Sequence, residues 1–273
     1  MKTMAKRLST INKEARAAAP RPHAKKSLGQ NFLKHPQIAA RMVHVAGVKE
    51  GDVVLEVGPG HGILTRALLA TGARVVAVEA DGALMEELRE TFAPEIESGK
   101  LQLVHGDIRV FDLSTLPQNY RAVANIPYYL TGELVRQLLE SPRQPASITF
   151  LVQKEVAERI ARAKKESLLS LSVKAFGTPK YEFTVPKGAF SPVPKVDSAV
   201  LTIRGISRAG FAGAREESRF FELIRAGFAH KRKLLAGNLA GLIPPAALMA
   251  TGIPEKARAE DLMLADWLAL ART

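Results

Sequence analysis

The sequence predicts an α/β fold in which a doubly wound parallel sheet is followed by a small all-α domain. Short apolar runs typical of buried strands alternate with helical patterns from residue 36 to residue 176. Two segments of alternating apolar and polar residues come next, and beyond residue 205 only helical spacing remains. These patterns predict a basic arm over residues 1–24, an α/β domain over 25–205 and a helical domain over 206–273.

The elements can be assigned in order from their apolar spacing and from the Gly and Pro residues between them. The predicted strands of the parallel sheet are Val53–Val57, Arg74–Val78, Leu101–Val104, Ala122–Ala124 and Ile148–Val152. The predicted helices around them are Pro36–Gly47, Ile63–Ala70, Gly82–Phe92, Thr131–Glu140, Gln153–Ala163 and Ser167–Phe176. Tyr181–Val185 and Val196–Ile203 are predicted to pair antiparallel at the sheet edge, and the later helices are predicted at Arg215–Ala229, Lys231–Leu242, Pro245–Ala250 and Ala257–Leu270.

The charge of the chain favours a polyanionic partner. Lys and Arg outnumber Asp and Glu by 39 to 27, which gives a net charge of +12. Residues 1–34 hold nine of the basic residues and only Glu14 as an acid. The excess of positive charge is therefore concentrated at the N-terminal end of the chain.

Other classes are disfavoured by composition. The chain has no cysteine, which excludes disulfides and thiolate metal sites and is consistent with a reducing cytoplasm. Its six histidines form no closely spaced ligand pair, so we expect no metal site. No apolar run approaches the roughly 20 residues of a membrane span, so we expect no membrane association.

The stretch 125–129, Asn-Ile-Pro-Tyr-Tyr, is the strongest candidate for a reactive site. It lies between a predicted strand and a predicted helix, where open α/β sheets bind ligands. Pro127 lacks an N–H, Asn125 adds an acceptor, and the two tyrosines offer flat faces. These residues suit a planar ring with an exocyclic amino group, although an ordinary Asn-Pro turn with both tyrosines in the core would have the same sequence.

The glycines and acids of the neighbouring loops predict a cationic nucleoside cofactor. Gly58 and Gly60 follow the first predicted strand in a G-x-G-x-G pattern, and Glu79 lies where an acid can bind ribose hydroxyls. Together with Glu56 and Asp107, Glu79 would repel a pyrophosphate. S-adenosylmethionine fits these loops, with its ribose on Glu79 and its adenine amino group on Asp107, although Asp107 is also compatible with a plain Gly-Asp turn.

Seven motifs in order resemble those of the ribosomal RNA adenine N6-dimethyltransferases, and within that family the bacterial enzymes that act on 16S rRNA. They are Lys26-Ser27-Leu28-Gly29-Gln30-Asn31-Phe32-Leu33, Leu55-Glu56-Val57-Gly58-Pro59-Gly60, Val78-Glu79-Ala80-Asp81, Gly106-Asp107, Asn125-Ile126-Pro127-Tyr128-Tyr129, Gln153-Lys154-Glu155-Val156-Ala157 and Phe190-Ser191-Pro192-Val193-Pro194-Lys195-Val196-Asp197-Ser198. The resemblance covers about Lys25 to near the C-terminus. The basic arm is longer than the family's usual leader, and His230-Lys231-Arg232-Lys233-Leu234 replaces a common Arg-Arg-Lys pattern.

The resemblance implies a Rossmann-like domain that transfers methyl groups from S-adenosylmethionine to two adjacent adenines in a hairpin loop near the 3′ end of 16S rRNA. We expect a cytoplasmic monomer that acts on the immature small ribosomal subunit. Carried over by motif, the residues expected in the cofactor pocket are Asn31, Leu33, Gly58, Glu79, Asp107 and Asn125.

Loop 125–129 and the Phe-Ser-Pro motif supply the expected catalytic residues. The Asn125 side-chain oxygen and the Ile126 carbonyl are expected to accept the hydrogens of the adenine amino group, next to Pro127. Tyr128 is expected to stack on the adenine, with Tyr129 packed inside the protein. Phe190 is expected to cover the other face of the base, the alternative being a core aromatic.

RNA is expected to be held by clusters of basic residues. Besides the arm, these are Lys25, Lys26, Lys231, Arg232 and Lys233, for which a plain solvated surface is the alternative. Two other functions stay open at this point. One is a 23S rRNA adenine methyltransferase of the macrolide-resistance type, and the other is a non-catalytic RNA-binding factor in ribosome assembly.

Overall fold

The structure, a computed structural model, describes residues 29–273. The predicted basic arm and the predicted RNA contacts Lys25 and Lys26 lie outside the described residues. Within residues 29–273, no helix is both long and apolar enough to cross a bilayer.

A seven-stranded sheet forms the centre of the molecule. The strands, in chain order, are β1 (Phe32–Leu33), β2 (Val53–Val57), β3 (Arg74–Glu79), β4 (Leu101–His105), β5 (Arg121–Asn125), β6 (Ser147–Gln153), β7 (Thr178–Val185), β8 (Phe190–Ser191) and β9 (Ser198–Arg204). The sheet order is β4-β3-β2-β5-β6-β9-β7, and β1 pairs separately with β8. The five strands β2 to β6 are mutually parallel, whereas β9 runs antiparallel to both β6 and β7. The predicted parallel sheet with an antiparallel pair at its edge is confirmed.

Helices cover both faces of the sheet and make up the C-terminal region. They are α1 (Pro36–Ala46), α2 (Ile63–Leu69), α3 (Gly82–Thr91), α4 (Ala93–Glu97), α5 (Thr131–Glu140), α6 (Lys154–Ala161), α7 (Leu168–Phe176), α8 (Ala214–Gly227), α9 (Leu235–Leu239), α10 (Pro245–Ala250) and α11 (Leu264–Arg272). Short 3-10 turns at Ile108–Val110, Tyr128–Leu130 and Ala259–Asp261 belong to the loops.

The alternation of side chains along each strand divides the core into two layers. On β2, Leu55 and Val57 belong to one apolar cluster and Val54 to the other. The second cluster is covered by α1, whose buried residues recur at helical spacing. The first cluster continues into the C-terminal helices, where the Phe221 ring of α8 stacks on Phe176 of α7 at 5.6 Å. The helical region is thus packed directly on the sheet layer.

Two predicted C-terminal helices are shorter in the structure. The predicted helix Lys231–Leu242 is helical only from Leu235, because the chain turns after Gly227 and the Asn238 side chain donates hydrogen bonds to the Gly227 and His230 carbonyls. The predicted helix Ala257–Leu270 begins only at Leu264, where Asp266 accepts a hydrogen bond from the Met263 N–H. Both differences reflect local capping by side chains that helical periodicity does not reveal.

Candidate functional site

A pocket lies at the carboxyl ends of β2, β3, β4 and β5. The sheet order reverses between β2 and β5, which is where open α/β sheets form their ligand crevice. Many of the predicted site residues meet there: Asn31, Gly58, Gly60, Glu79, Asp107, Asn125, Ile126, Pro127 and Tyr128 all line this pocket.

The loop after β2 exposes backbone to the pocket. Gly58 has a φ of +66°, and a Cβ added to it would find no heavy atom within 4 Å. The backbone therefore approaches the pocket with open space in front of it, in a conformation that favours glycine. The N–H of Gly60 donates to Oε2 of Glu79 at 3.2 Å, which ties this loop to the end of β3.

Glu79 is a buried carboxylate that the backbone holds in one orientation. It is 5% exposed, and its Oε1 accepts a hydrogen bond from the Asp81 N–H at 2.9 Å. Burial raises its pKa, while the N–H groups of Asp81 and Gly60 act in the opposite direction. This arrangement suits a hydrogen-bond acceptor that meets a ligand at a fixed place.

Glu56 lies beneath the same loop and does not line the pocket. Its side chain is 1% exposed, and neither carboxyl oxygen has a hydrogen-bond partner at normal distance among the described residues. Burial raises its pKa to about 8, the nearby Thr65 lowers it in part and the charge of Glu79 raises it further. Glu56 is therefore predominantly protonated near neutral pH, so it contributes little to the negative charge that we predicted from three acids.

Asp107 follows β4 and is held by Arg109, a residue that the sequence reasoning missed. The Arg109 N–H donates to Oδ1 at 2.9 Å, and its guanidinium Nε donates to Oδ2 at 2.9 Å. These bonds lower the pKa of Asp107. Asp107 caps a 3-10 turn and also lines the pocket. This geometry is compatible with a contact to the cofactor and equally with the plain Gly-Asp turn.

Asn125 ends β5 with its amide oriented by the N-terminal segment. Its Nδ2 donates to the Asn31 carbonyl at 2.9 Å. No described residue donates a hydrogen bond to its Oδ1. The next residue, Ile126, buries its side chain in the core, so its backbone is what it offers to the pocket. The loop thus presents acceptors to a ligand.

The two tyrosines differ from each other, and the prediction for Tyr129 is wrong. The Tyr128 ring is half-buried, and its hydroxyl hydrogen-bonds the Ser198 hydroxyl at 2.7 Å. Tyr129 is 58% exposed, although we expected it inside the protein. Because residues 128–130 form a 3-10 turn, their side chains point in different directions, and Leu130 takes the core position.

Leu33 and Phe190 are corrected from pocket residues to core residues. Leu33 of β1 pairs with Phe190 of β8, and their side chains are 6% and 0% exposed. Both belong to the second apolar cluster. A ring enclosed in this way does not offer a face to a base, so the alternative reading of Phe190 as a core aromatic is the one that the structure favours.

A second recess, which we call the basic cleft, is lined by exposed cations from two parts of the chain. Arg136 of α5 and Arg159 of α6 face Lys231 and Lys233, which lie between α8 and α9. None of these four side chains forms an ion pair with a described residue, whereas the cleft's Lys165 and Glu166 are paired with Glu260 and Lys174. Arg232, the third predicted contact in this cluster, is exposed but does not line the cleft. Tyr129 lines both the pocket and the basic cleft.

Fold and site together define an α/β protein with a ligand pocket at the point where its sheet order reverses and a cationic surface beside that pocket. The sequence model of the family described as "Ribosomal RNA adenine dimethylase" matches residues 21–273. The chain belongs to that family, whose members are S-adenosylmethionine-dependent methyltransferases that act on ribosomal RNA.

Relatives and solved structures agree with this assignment. The chain is 42% identical over 260 residues to "Ribosomal RNA small subunit methyltransferase A" of Thermosynechococcus vestitus, covering 91% of this chain and 96% of that protein. It is 40% identical to the protein of the same name from Dehalococcoides mccartyi, covering 89% of this chain and 86% of the relative.

Among solved structures, the 23S rRNA methyltransferase ErmE aligns with a TM-score of 0.73 at 26% identity and covers 89% of this chain and 98% of its own. A dimethyladenosine transferase from Plasmodium falciparum, at a TM-score of 0.71 and 24% identity, covers 88% of this chain and 95% of its own and shares the fold.

Proposed function

We propose that this protein transfers methyl groups from S-adenosylmethionine to N6 of two adjacent adenines in the 3′-terminal hairpin loop of 16S rRNA. The product is a pair of N6,N6-dimethyladenosines. Membership of the family supports the reaction, and the names of relatives at 40% identity or more support the choice of the small subunit.

The pocket fits S-adenosylmethionine. When bound, this cofactor supplies an electrophilic methyl group on a sulfonium. Gly58 leaves open space for the ligand, Glu79 would accept hydrogen bonds from the ribose, and Asp107 would accept one from the adenine amino group. The raised pKa of Glu56 removes one of the three predicted charges, and the guanidinium of Arg109, which also lines the pocket, offsets that of Asp107, so charge by itself does not disfavour a pyrophosphate here.

The orientation of the Asn125 amide is the observation that carries the proposal. Because its Nδ2 is bound to the Asn31 carbonyl, the Oδ1 is the atom left for a substrate. An adenine amino group donates two hydrogens, which Asn125 Oδ1 and the Ile126 carbonyl would accept. These bonds favour a more tetrahedral nitrogen whose lone pair points at the methyl group, and they strengthen toward the transition state. No general base is required, because the alkylated nitrogen becomes acidic and releases its proton to water.

Tyr128 is the proposed stacking partner of the target adenine. Its hydroxyl bond to Ser198 fixes the ring at the pocket wall before the base arrives. Stacking of a base on an aromatic side chain contributes about 1–3 kcal/mol. Since Phe190 is enclosed in the core, Tyr128 is the aromatic platform of the proposed mechanism.

The basic cleft is the proposed site for the RNA backbone. Its four unpaired cations, with Lys25 and Lys26, would neutralise phosphates of the immature small subunit. We further propose that the protein acts as a monomer in the cytoplasm, where its substrate is assembled, and that it needs no metal.

The decisive experiment is methyl transfer to small subunits that lack the modification. We expect labelled methyl groups from S-adenosylmethionine to appear in 16S rRNA as dimethyladenosine, located by mass spectrometry of nuclease fragments. Asn125→Ala should lower kcat by at least about 100-fold while RNA binding stays nearly unchanged. Full activity in that variant would contradict the proposed mechanism.

The likeness to a 23S rRNA methyltransferase supports one rival substrate. Large subunits that lack methylation at N6 of their adenines should be offered in parallel. Transfer to 23S rRNA alone would overturn the choice of 16S rRNA. RNA binding without transfer to either particle would instead support a non-catalytic assembly factor.

A further inference from the structure

Tyr129 is an aromatic ring exposed at the junction of the pocket and the basic cleft. It is 58% exposed and lines both recesses. The roles assigned to loop 125–129 in the proposed reaction use Asn125, Ile126 and Tyr128 and leave Tyr129 without one. A large exposed aromatic beside a ligand site commonly marks a contact surface.

The Tyr129 ring packs on one side against the backbone of Gly29. A Cβ added to Gly29 would lie 3.1 Å from both Cδ1 and Cε1 of the ring, so glycine at this position lets backbone pack closely against it. Gly29 also has a φ of +58°, which favours glycine independently. The ring is therefore placed by packing on one side while more than half of its surface stays accessible.

A strip that contains the small Gly132 and the basic Arg136, with the acidic Glu133 between them, leads from Tyr129 into the basic cleft. Gly132, Glu133 and Arg136 follow Tyr129 at spacings of three or four residues, which puts them on one side of the turn and of α5, and all four line the cleft. A Cβ at Gly132 would meet no heavy atom within 4 Å, so the surface beside the ring is open. Arg136, one helical turn beyond Gly132, is exposed and forms no ion pair with a described residue.

We propose that Tyr129, Gly132 and Arg136 form a second nucleotide subsite for the neighbour of the target adenine. The neighbouring base stacks on Tyr129, the sugar-phosphate chain crosses Gly132, and the phosphate binds Arg136. This inference rests on the proposed function and adds a specificity element to it. Two adjacent adenines would be held together, one in the pocket and one on the outer ring, so that they can exchange places between rounds of transfer.

The test compares two kinds of substrate particle. Small subunits are reconstituted with unmodified 16S rRNA that carries both adenines, or with rRNA in which each adenine of the pair is replaced in turn by uridine, which stacks less well. Rates of the first methyl transfer give kcat/KM for the wild type, Tyr129→Ala, Tyr129→Phe and Arg136→Ala. Arg89→Ala is the control for Arg136, because Arg89 is exposed, lacks an ion pair among the described residues and does not line the cleft.

The subsite predicts a penalty that depends on the neighbouring base. Tyr129→Ala should lower kcat/KM about 5- to 100-fold on the two-adenine particle. On the uridine particles, the factor by which Tyr129→Ala lowers kcat/KM should be smaller by at least about threefold. Tyr129→Phe should stay within about twofold of the wild type on every particle. Arg136→Ala should lower kcat/KM on both particles alike, because it contacts phosphate, and Arg89→Ala should change neither.

Two kinds of result would overturn the subsite. The first is a Tyr129→Ala variant whose kcat/KM is unchanged, or is lowered by the same factor on both kinds of particle. A Tyr129→Phe variant with as low a kcat/KM as Tyr129→Ala belongs to the same kind of result. If the wild type remains active on the two-adenine particle, this result overturns the subsite alone. The second is a wild type that methylates neither particle, and it overturns the proposed function together with the subsite.

Discussion

The pocket and the basic cleft adjoin at Tyr129, yet they are built in opposite ways. In the pocket, each polar group is fixed by the backbone or by another side chain: Glu79 by the N–H groups of Gly60 and Asp81, and Asn125 by the Asn31 carbonyl. In the cleft, the cations Arg136, Arg159, Lys231 and Lys233 are exposed and have no ion-pair partner among the described residues.

The difference corresponds to two kinds of ligand. A small rigid ligand and a reacting atom require acceptors at fixed positions, because a misplaced group loses most of its effect on the transition state. A phosphate backbone is bound chiefly by charge, and long basic side chains can adjust to it. Substitutions in the pocket should therefore change the rate steeply, whereas substitutions in the cleft should change affinity gradually and in a salt-dependent way.

The largest effect is expected at Asn125. Asn125→Ala removes an acceptor that is directed at the substrate, so kcat should fall about 10²- to 10³-fold or more, as for loss of a single group that stabilises a transition state. Thermal unfolding and RNA affinity should stay close to those of the wild type. A comparable loss of RNA affinity would show that Asn125 binds substrate rather than assisting transfer.

Stability should reveal the neutral state of the buried Glu56. Its pKa is raised from 4.5 to about 8 in the folded protein, so the folded state binds the proton more tightly than the unfolded state does. The contribution of Glu56 to stability therefore falls as pH rises from about 4.5 to about 8. Glu56→Gln, which cannot ionise, escapes this loss.

Urea unfolding of the wild type and of Glu56→Gln at pH 5 and pH 8 measures the effect. The free energy of unfolding of the variant minus that of the wild type should increase by about 3 kcal/mol over this range. Groups common to both proteins cancel in the difference. A difference that does not change with pH would mean that Glu56 ionises in the folded protein as it does in the unfolded chain.

A smaller effect is expected for the bond between Tyr128 and Ser198. Ser198→Ala and Tyr128→Phe each remove the 2.7 Å hydrogen bond and leave the ring in the pocket wall. Each should lower kcat/KM by about 5- to 10-fold, corresponding to about 1 kcal/mol. The double variant should be little worse than either single one, because both remove the same bond. Fully additive losses would contradict a shared role.

The sequence predicted which strand ends meet at the pocket, but it did not predict which way individual side chains point. Gly58, Glu79, Asp107 and Asn125 were predicted in one pocket because strand periodicity defines where strands end, and the ends of parallel strands share an edge. The expected pocket positions of Leu33 and Phe190 were wrong because β1 and β8 pair over two residues, a contact too short and too distant along the chain to leave a pattern.

The hydrogen-bond partners and the burial of the polar site residues could not be predicted from the sequence either. The bond from Asn125 to Asn31 joins residues 94 positions apart, and no periodicity marks it. The raised pKa of Glu56 depends on burial beneath a loop, which the residue type alone does not indicate. For Tyr129, a 3-10 turn decided exposure, and the sequence predicted only a loop.

The smallest effects are expected in the basic cleft. Lys231→Ala and Lys233→Ala should each weaken binding to small subunits by a few-fold at moderate salt. Each should also reduce the slope of log affinity against log salt by about 0.7 to 0.9, the value for one lost phosphate contact. Lys100→Ala is the matched control, because Lys100 is exposed and immediately precedes β4, at the sheet edge opposite the pocket. If all three variants change the slope equally, the charge acts through the net charge of the protein, and the cleft is not the RNA site.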